Sequence, residues 1–324
     1  MKHKLTITLI LLGMFLVTQF IGLFVINAYT PQTIIDPTTG EQTQAPGNEL
    51  PFGLQTNQDE PTPTFLSIVF SFALAFALIL LLMKYKWKMV IRLWFFLVVT
   101  LALSISIYAI LKYTYTITLL HYYTITTISI IALAVAIPLA LIKIFRPNMY
   151  VHNLTELLIY PGIAAVFVPI LTWKSIIALL ILISLYDAWA VWRSGIMQKM
   201  AKFQMEELKI FGGFLLPSVS KKVENQIRKI KQKYKNKKMP NKIKSKKFKI
   251  NLAILGGGDV IFPIITAGVF MRTFGIIPAL FVIFGALAGL SSIFLFSQKG
   301  KAYPAMPYIT TGIFAALLLW KLLF

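Results

Sequence analysis

The 324 residues include no cysteine; 57% are apolar, the formal net charge is +21 and the mean hydropathy is +0.75. Without cysteine there are no disulfides, thiolate nucleophiles or cysteine-ligated metals. Three histidines, His3, His121 and His152, with no HExxH pattern, make metal or serine-histidine chemistry a poor fit. Apolar blocks of about twenty residues, separated by charged or Pro-rich breaks, exclude a soluble core and read as an all-α, multi-pass membrane protein.

Nine spans are expected, at 5–27, 65–83, 89–111, 122–145, 153–171, 174–192, 250–271, 275–297 and 303–323. The first is too long for the apolar core of a signal peptide, and no small-residue cleavage site closes it. The loop after it, 28–64, holds Asp36, Glu41, Glu49, Asp59 and Glu60 without Lys or Arg. Its Pro, Gly, Thr and Gln content predicts a flexible external segment. Basic residues at "MKHK", "KYKWK" (84–88), "KIFRP" (143–147) and "QKGK" (298–301) fall on alternate loops, so the N-terminus is expected in the cytoplasm and the C-terminus outside.

Between the sixth and seventh spans, residues 193–249 hold 18 Lys and Arg against Glu206, Glu207 and Glu224. That run lacks the interleaved aromatics of a base-stacking platform, so anionic lipid headgroups rather than nucleic acid are its expected partner. Its first part, with Ile196, Met200, Phe203 and Leu208 at near-helical spacing, predicts a short interfacial helix. The apolar patch 211–217 reads as a second membrane-surface anchor or, as the alternative, a docking element. The chain thus divides into 1–148 (four spans), 149–193 (two spans), the basic loop 194–249 and 250–324 (three spans).

Of four aspartates, Asp36 and Asp59 are in the outer loop. Asp187, in "SLYDAW", and Asp259, in "LGGGDV", lie inside spans, where a lone carboxylate costs roughly 2.5 to 3.5 kcal/mol on insertion scales. Asp187 is six residues before Arg193, about 9 Å from the inner boundary, and Asp259 nine past Ile250, about 13 Å in, so the two are expected to face each other in the cytoplasmic half of the bilayer. Glu156 is near the cytoplasmic start of its span, where a carboxylate favours the helix dipole. Gly256, Gly257 and Gly258 would each weaken a helix by about 1 kcal/mol, which suggests bare backbone that admits another chain or water.

Two carboxylates sharing one proton supply a base and an acid together: one takes a proton from water attacking a peptide carbonyl, and the other polarises that carbonyl and then protonates the leaving amine. The same pair could carry protons or ions in a transporter or leak channel, although no inverted repeat is visible.

Three motifs, Tyr186-Asp187 in the sixth span, Gly256-Gly257-Gly258-Asp259 in the seventh and Pro304-Ala305-Met306 at the start of the ninth, resemble the marks of the presenilin and signal peptide peptidase family of intramembrane aspartyl proteases. The likeness is best over 150–324. The N-inside topology is similar to presenilin and opposite to signal peptide peptidase. Two departures stand out: Gly257 occupies the place of the family's usual Leu, removing a side-chain wall, and Met306 replaces the final Leu of Pro-Ala-Leu, a volume-conserving change. A literal Pro-Ala-Leu at 278–280 falls at the outer end of the eighth span and is a decoy. A prepilin-peptidase-like enzyme also uses a GxGD aspartate, but the absence of cysteine and the depth of Asp187 argue against it.

The resemblance implies a nine-helix, presenilin-like fold and a protease that cuts single-span membrane proteins or signal peptides. Asp187 and Asp259 would be the catalytic pair. Tyr186, Leu255, Gly256, Gly257, Gly258, Pro304, Ala305 and Met306 would form the substrate cleft, in which backbone over 249–255 and around Pro304 pairs with an unwound substrate. No metal or cofactor is expected, no partner subunit is encoded here, and the oligomeric state stays open, a homo-oligomer included. A prokaryotic, archaeal-type cell membrane is compatible with the composition.

Overall fold

In lipid, a backbone must satisfy its own hydrogen bonds, and the apolar blocks do so as helices. The computed structural model describes residues 5–30, 32–35, 42–45, 85, 87–117, 125–146, 148–194, 204, 210–218, 251–297 and 303–324, with scattered positions between 66 and 82. Its helices are α1 (Leu5–Tyr29), α2 (Lys88–Ile117), α3 (Ile125–Phe145), α4 (Met149–Phe167), α5 (Trp173–Trp189), α6 (Gly257–Phe274), α7 (Ile276–Phe296) and α8 (Met306–Leu323). Seven of them, all but α4, are long and apolar enough to cross a membrane. The interfacial helix expected near 196–208 lies, except for Gln204, outside the described residues, as do His3 and His121; of the nineteen positions of the span expected at 65–83, eleven are described, each of them helical.

Among the described residues, four strands form two short antiparallel pairs. β1 (Gln32–Ile35) pairs with β2 (Gln42–Ala45), so the segment 28–64 carries strands where only a flexible segment was expected. β3 (Gly213–Ser218) pairs with β4 (Asn251–Gly256), with Gly213 opposite Gly256 and Ser218 opposite Asn251. Two expectations are thereby corrected. The patch 211–217 is a strand in a hairpin, not a surface anchor, and the seventh span begins as a helix at Gly257 rather than at 250. An apolar strand and an apolar helix are indistinguishable by periodicity over six residues.

Two cores hold the bundle. One joins α1, α4, α5, α6, α7, α8 and both strands of the β3–β4 hairpin through Phe15, Leu180, Phe214, Ile264, Ile283 and Ile309. The other joins α1 and α4 to α2 and α3 through Val25, Leu103, Ala136 and Ile159. Prolines interrupt α4 at Pro161 and α6 at Pro263, and each removes a helix donor. Neighbouring helices compensate: Ser106 of α2 donates to the Leu158 carbonyl at 2.6 Å, and Gln19 of α1 donates to that of Val260 at 3.1 Å. Each bond falls three residues before the proline, on the turn it loosens.

α7 and α8 approach backbone to backbone. A Cβ on Gly289 would stand 2.4 Å from the Tyr308 carbonyl oxygen, and one on Gly285 2.5 Å from that of Gly312. Gly285-Ala-Leu-Ala-Gly289 is a small-xxx-small face, which lets membrane helices pack this closely.

Candidate active site

The two acids meet at one end of the bundle. Asp187 is in the last turn of α5 and is buried. Asp259 is in the first turn of α6, with Gly256 as the cap before it. The continuous helix expected ahead of Asp259 is instead strand up to Gly256, and the helix starts two residues before Asp259. The two carboxylates are within electrostatic reach of one another.

α8 completes the site from the side. The Met306 N–H donates to Asp187 Oδ2 at 3.0 Å, and the Ala305 backbone also bonds that carboxylate. One turn further along, Ser184 Oγ and Thr310 Oγ1 are 2.7 Å apart, a second rung between α5 and α8. Pro304-Ala305-Met306 therefore positions Asp187 through backbone. The decoy Pro278 begins α7 at the far end of α6.

The glycine run has two functions. Gly256 ends β4, and its backbone bonds the Asp259 carboxylate. A Cβ on Gly257 would lie 2.8 Å from the Tyr160 hydroxyl, so Tyr160 of α4 fills the room that a side chain at 257 would need. Its ring packs edge-on against Phe214 of β3 with centroids 5.9 Å apart. Its hydroxyl is buried beside Glu156, within electrostatic reach of Asp259, and finds no well-formed hydrogen bond among the described residues.

Tyr186 turns outward and packs near Trp189, whereas Leu255 is buried in the core. Gly258 is exposed beside Asp259, and Pro304 is buried next to Ala305. Glu156 does not serve the helix dipole as expected: it forms a buried ion pair with Lys143 of α3 at 2.5 Å. Among the described residues no cluster of three or more His, Asp or Glu could hold a metal.

Two carboxylates brought together at the end of a membrane helix bundle, one fixed by the backbone of a third helix, are the equipment of an intramembrane aspartyl protease. The family model described as signal-peptide peptidase, presenilin aspartyl protease matches residues 51–324, and the chain belongs to that family. Its fold is similar to that of a presenilin family intramembrane aspartate protease solved in two crystal forms. The C222 structure gives a TM-score of 0.58 at 18% identity, covering 98% of this chain and 99% of that one. The P2 structure gives 0.56 at 19%, covering 97% and 98%. No curated protein matches the chain significantly.

Proposed function

We propose that Asp187 and Asp259 are the catalytic pair with which this intramembrane protease hydrolyses peptide bonds in the membrane segments of single-span proteins. The observation that carries the assignment is the capture of Asp187 by the Met306 N–H while Asp259 opens α6 beside it. One carboxylate, ionised, accepts a proton from the attacking water. The other, protonated, donates to the scissile carbonyl and then to the leaving amine. An extended substrate adds along the outer side of β4, toward the glycines and Pro304, where Gly256, Gly257, Gly258, Ala305 and Met306 frame the cleft; Leu255 supports it from the core, and Tyr186 faces outward beside Asp187.

Activity then depends on a single shared proton. Acid adds a second proton and removes the base, and alkali strips the shared one and removes the acid. Cleavage measured from about pH 4 to about pH 9 should therefore give a bell whose limbs belong to the pair. A hydroxyl isostere of the scissile bond should bind best near its maximum, because the hydroxyl donates to one carboxylate and accepts from the other. A flat profile, or isostere binding indifferent to Asp259→Asn, would remove the shared proton from the mechanism.

We infer a nine-span arrangement, counting α4 and the segment expected at 65–83, with this site on the cytoplasmic side; loop charge supports that reading. In a chain without cysteine, single cysteines introduced at Thr38 or Asn57 should react with an impermeant thiol reagent outside intact cells, and one at Asn236 should not. The opposite labelling pattern would invert the protein in the membrane.

A further inference from the structure

The outer edge of β3 has no free donor. The Leu215 N–H donates to Asn153 Oδ1 at 3.0 Å while Asn153 Nδ2 donates to the Leu215 carbonyl at 2.8 Å, so one side-chain amide replaces the peptide of a neighbouring strand. Two residues before, His152 Nε2 lies 2.7 Å from the Gly213 carbonyl and Glu156 Oε1 receives the Gly213 N–H at 3.4 Å. Two residues after, Pro217 has no N–H to offer. Alternation in an antiparallel ladder turns Gly213, Leu215 and Pro217 to the same side, away from β4.

The groups that close this edge are held in place by a buried ion pair. Lys143 bonds Glu156 and also lies 3.3 Å from His152 Nδ1. With an ammonium facing Nδ1, the ring proton belongs on Nε2, where it donates to Gly213. Desolvating a Lys and a Glu inside an apolar bundle costs several kcal/mol per ion, and apolar side chains could fill the space instead. A role in stability alone does not account for their placement.

We propose that His152, Asn153 and Glu156 of α4 form an edge clamp that positions the active site through the β3–β4 hairpin. The path is short. Gly213, held by His152 and Glu156, stands opposite Gly256, and the Gly257 N–H donates to the Gly212 carbonyl at 3.2 Å, two residues from Asp259. The clamp also makes the sheet one-sided: its alternation leaves the backbone of Leu252 and Ile254 facing outward, and among the described residues no strand pairs with that side of β4. The incoming substrate has one edge to join.

Asn153 is the residue to test, because it is only partly buried and carries no charge. The inference rests on the protease reading, so wild type and Asp259→Asn are assayed beside Asn153→Leu and Asn153→Gln, as full-length protein on a single-span substrate. Asn153→Leu should lower kcat about tenfold to a hundredfold, the scale of a small misplacement of reacting groups, and leave KM within about threefold of wild type. Asn153→Gln, which keeps the amide, should recover part of kcat. Hydrogen exchange at the Leu215 amide, which needs no activity, should speed up at least tenfold in Asn153→Leu. Unchanged exchange, unchanged kcat with a lowered Tm, or a raised KM with wild-type kcat would each overturn the clamp. Equal turnover by wild type and Asp259→Asn would instead overturn the protease reading, and exchange would still decide the clamp.

Discussion

Asp187→Asn and Asp259→Asn should each reduce cleavage to background, a loss of at least the 10²- to 10⁴-fold that a positioned acid or base contributes. Asparagine keeps the shape, and with its amide turned so that Oδ1 takes the place of Asp187 Oδ2, the Met306 N–H retains an acceptor. Stability should be unchanged, because a buried charge is removed and no buried donor is stranded. Asp187→Ala differs on this second point. It strands the Met306 N–H, at a cost of about 1 to 3 kcal/mol, and should lower Tm while losing the same activity. Cleavage and thermal unfolding on the three variants separate chemistry from architecture, and residual cleavage by either Asn variant would sink the pair. A proton or ion flux that survives in wild-type liposomes without cleavage would point to the transporter reading.

The second large effect is expected at Gly289, where α7 packs on α8. Leucine there must displace the Tyr308 carbonyl, which lies 2.4 Å from the position of its Cβ, and backbone cannot step aside as a side chain can. Overpacking costs typically 1 to 3 kcal/mol, and contact with backbone puts Gly289→Leu at the upper end. The push separates α8 from α7 two residues beyond Met306, so the N–H that holds Asp187 should move with it. Both Tm and kcat should fall. Gly13→Leu is the control, because a Cβ at Gly13 meets nothing within 4 Å and should leave both unchanged. Equal behaviour of the two leucine variants would mean that the α7–α8 contact does not govern the site.

What the sequence revealed and what it hid divide along a physical line. Asp187 and Asp259 were legible because a carboxylate in an apolar span has no cheap explanation. Pro304-Ala305-Met306 was legible as a motif, but not its use of backbone to hold Asp187. β3 was not legible: "GFLLPS" is short and apolar, and its partner "NLAILG" follows only after a long intervening segment, so nothing local distinguishes strand from surface anchor. Lys143 and Glu156 sit in different helices, which made the glutamate look like a helix-dipole residue. Two further signals stand in the sequence. Gly285 and Gly289 spell a helix-packing face, and Gln19 is the single amide deep in the first span, where a polar side chain needs a partner such as the Val260 carbonyl.

The closed edge of β3 also bears on how these molecules coexist in a crowded bilayer. An open strand edge is a template for another copy of itself, and membrane proteins are concentrated in two dimensions. At Gly213 and Leu215 the donors are taken, and at Pro217 there is none, so two molecules cannot fuse their hairpins into a shared sheet through this side. The same side chains of α4 that hold the hairpin against the site thus act against self-association, and any strand-mediated encounter between copies must compete at β4 with the substrate itself.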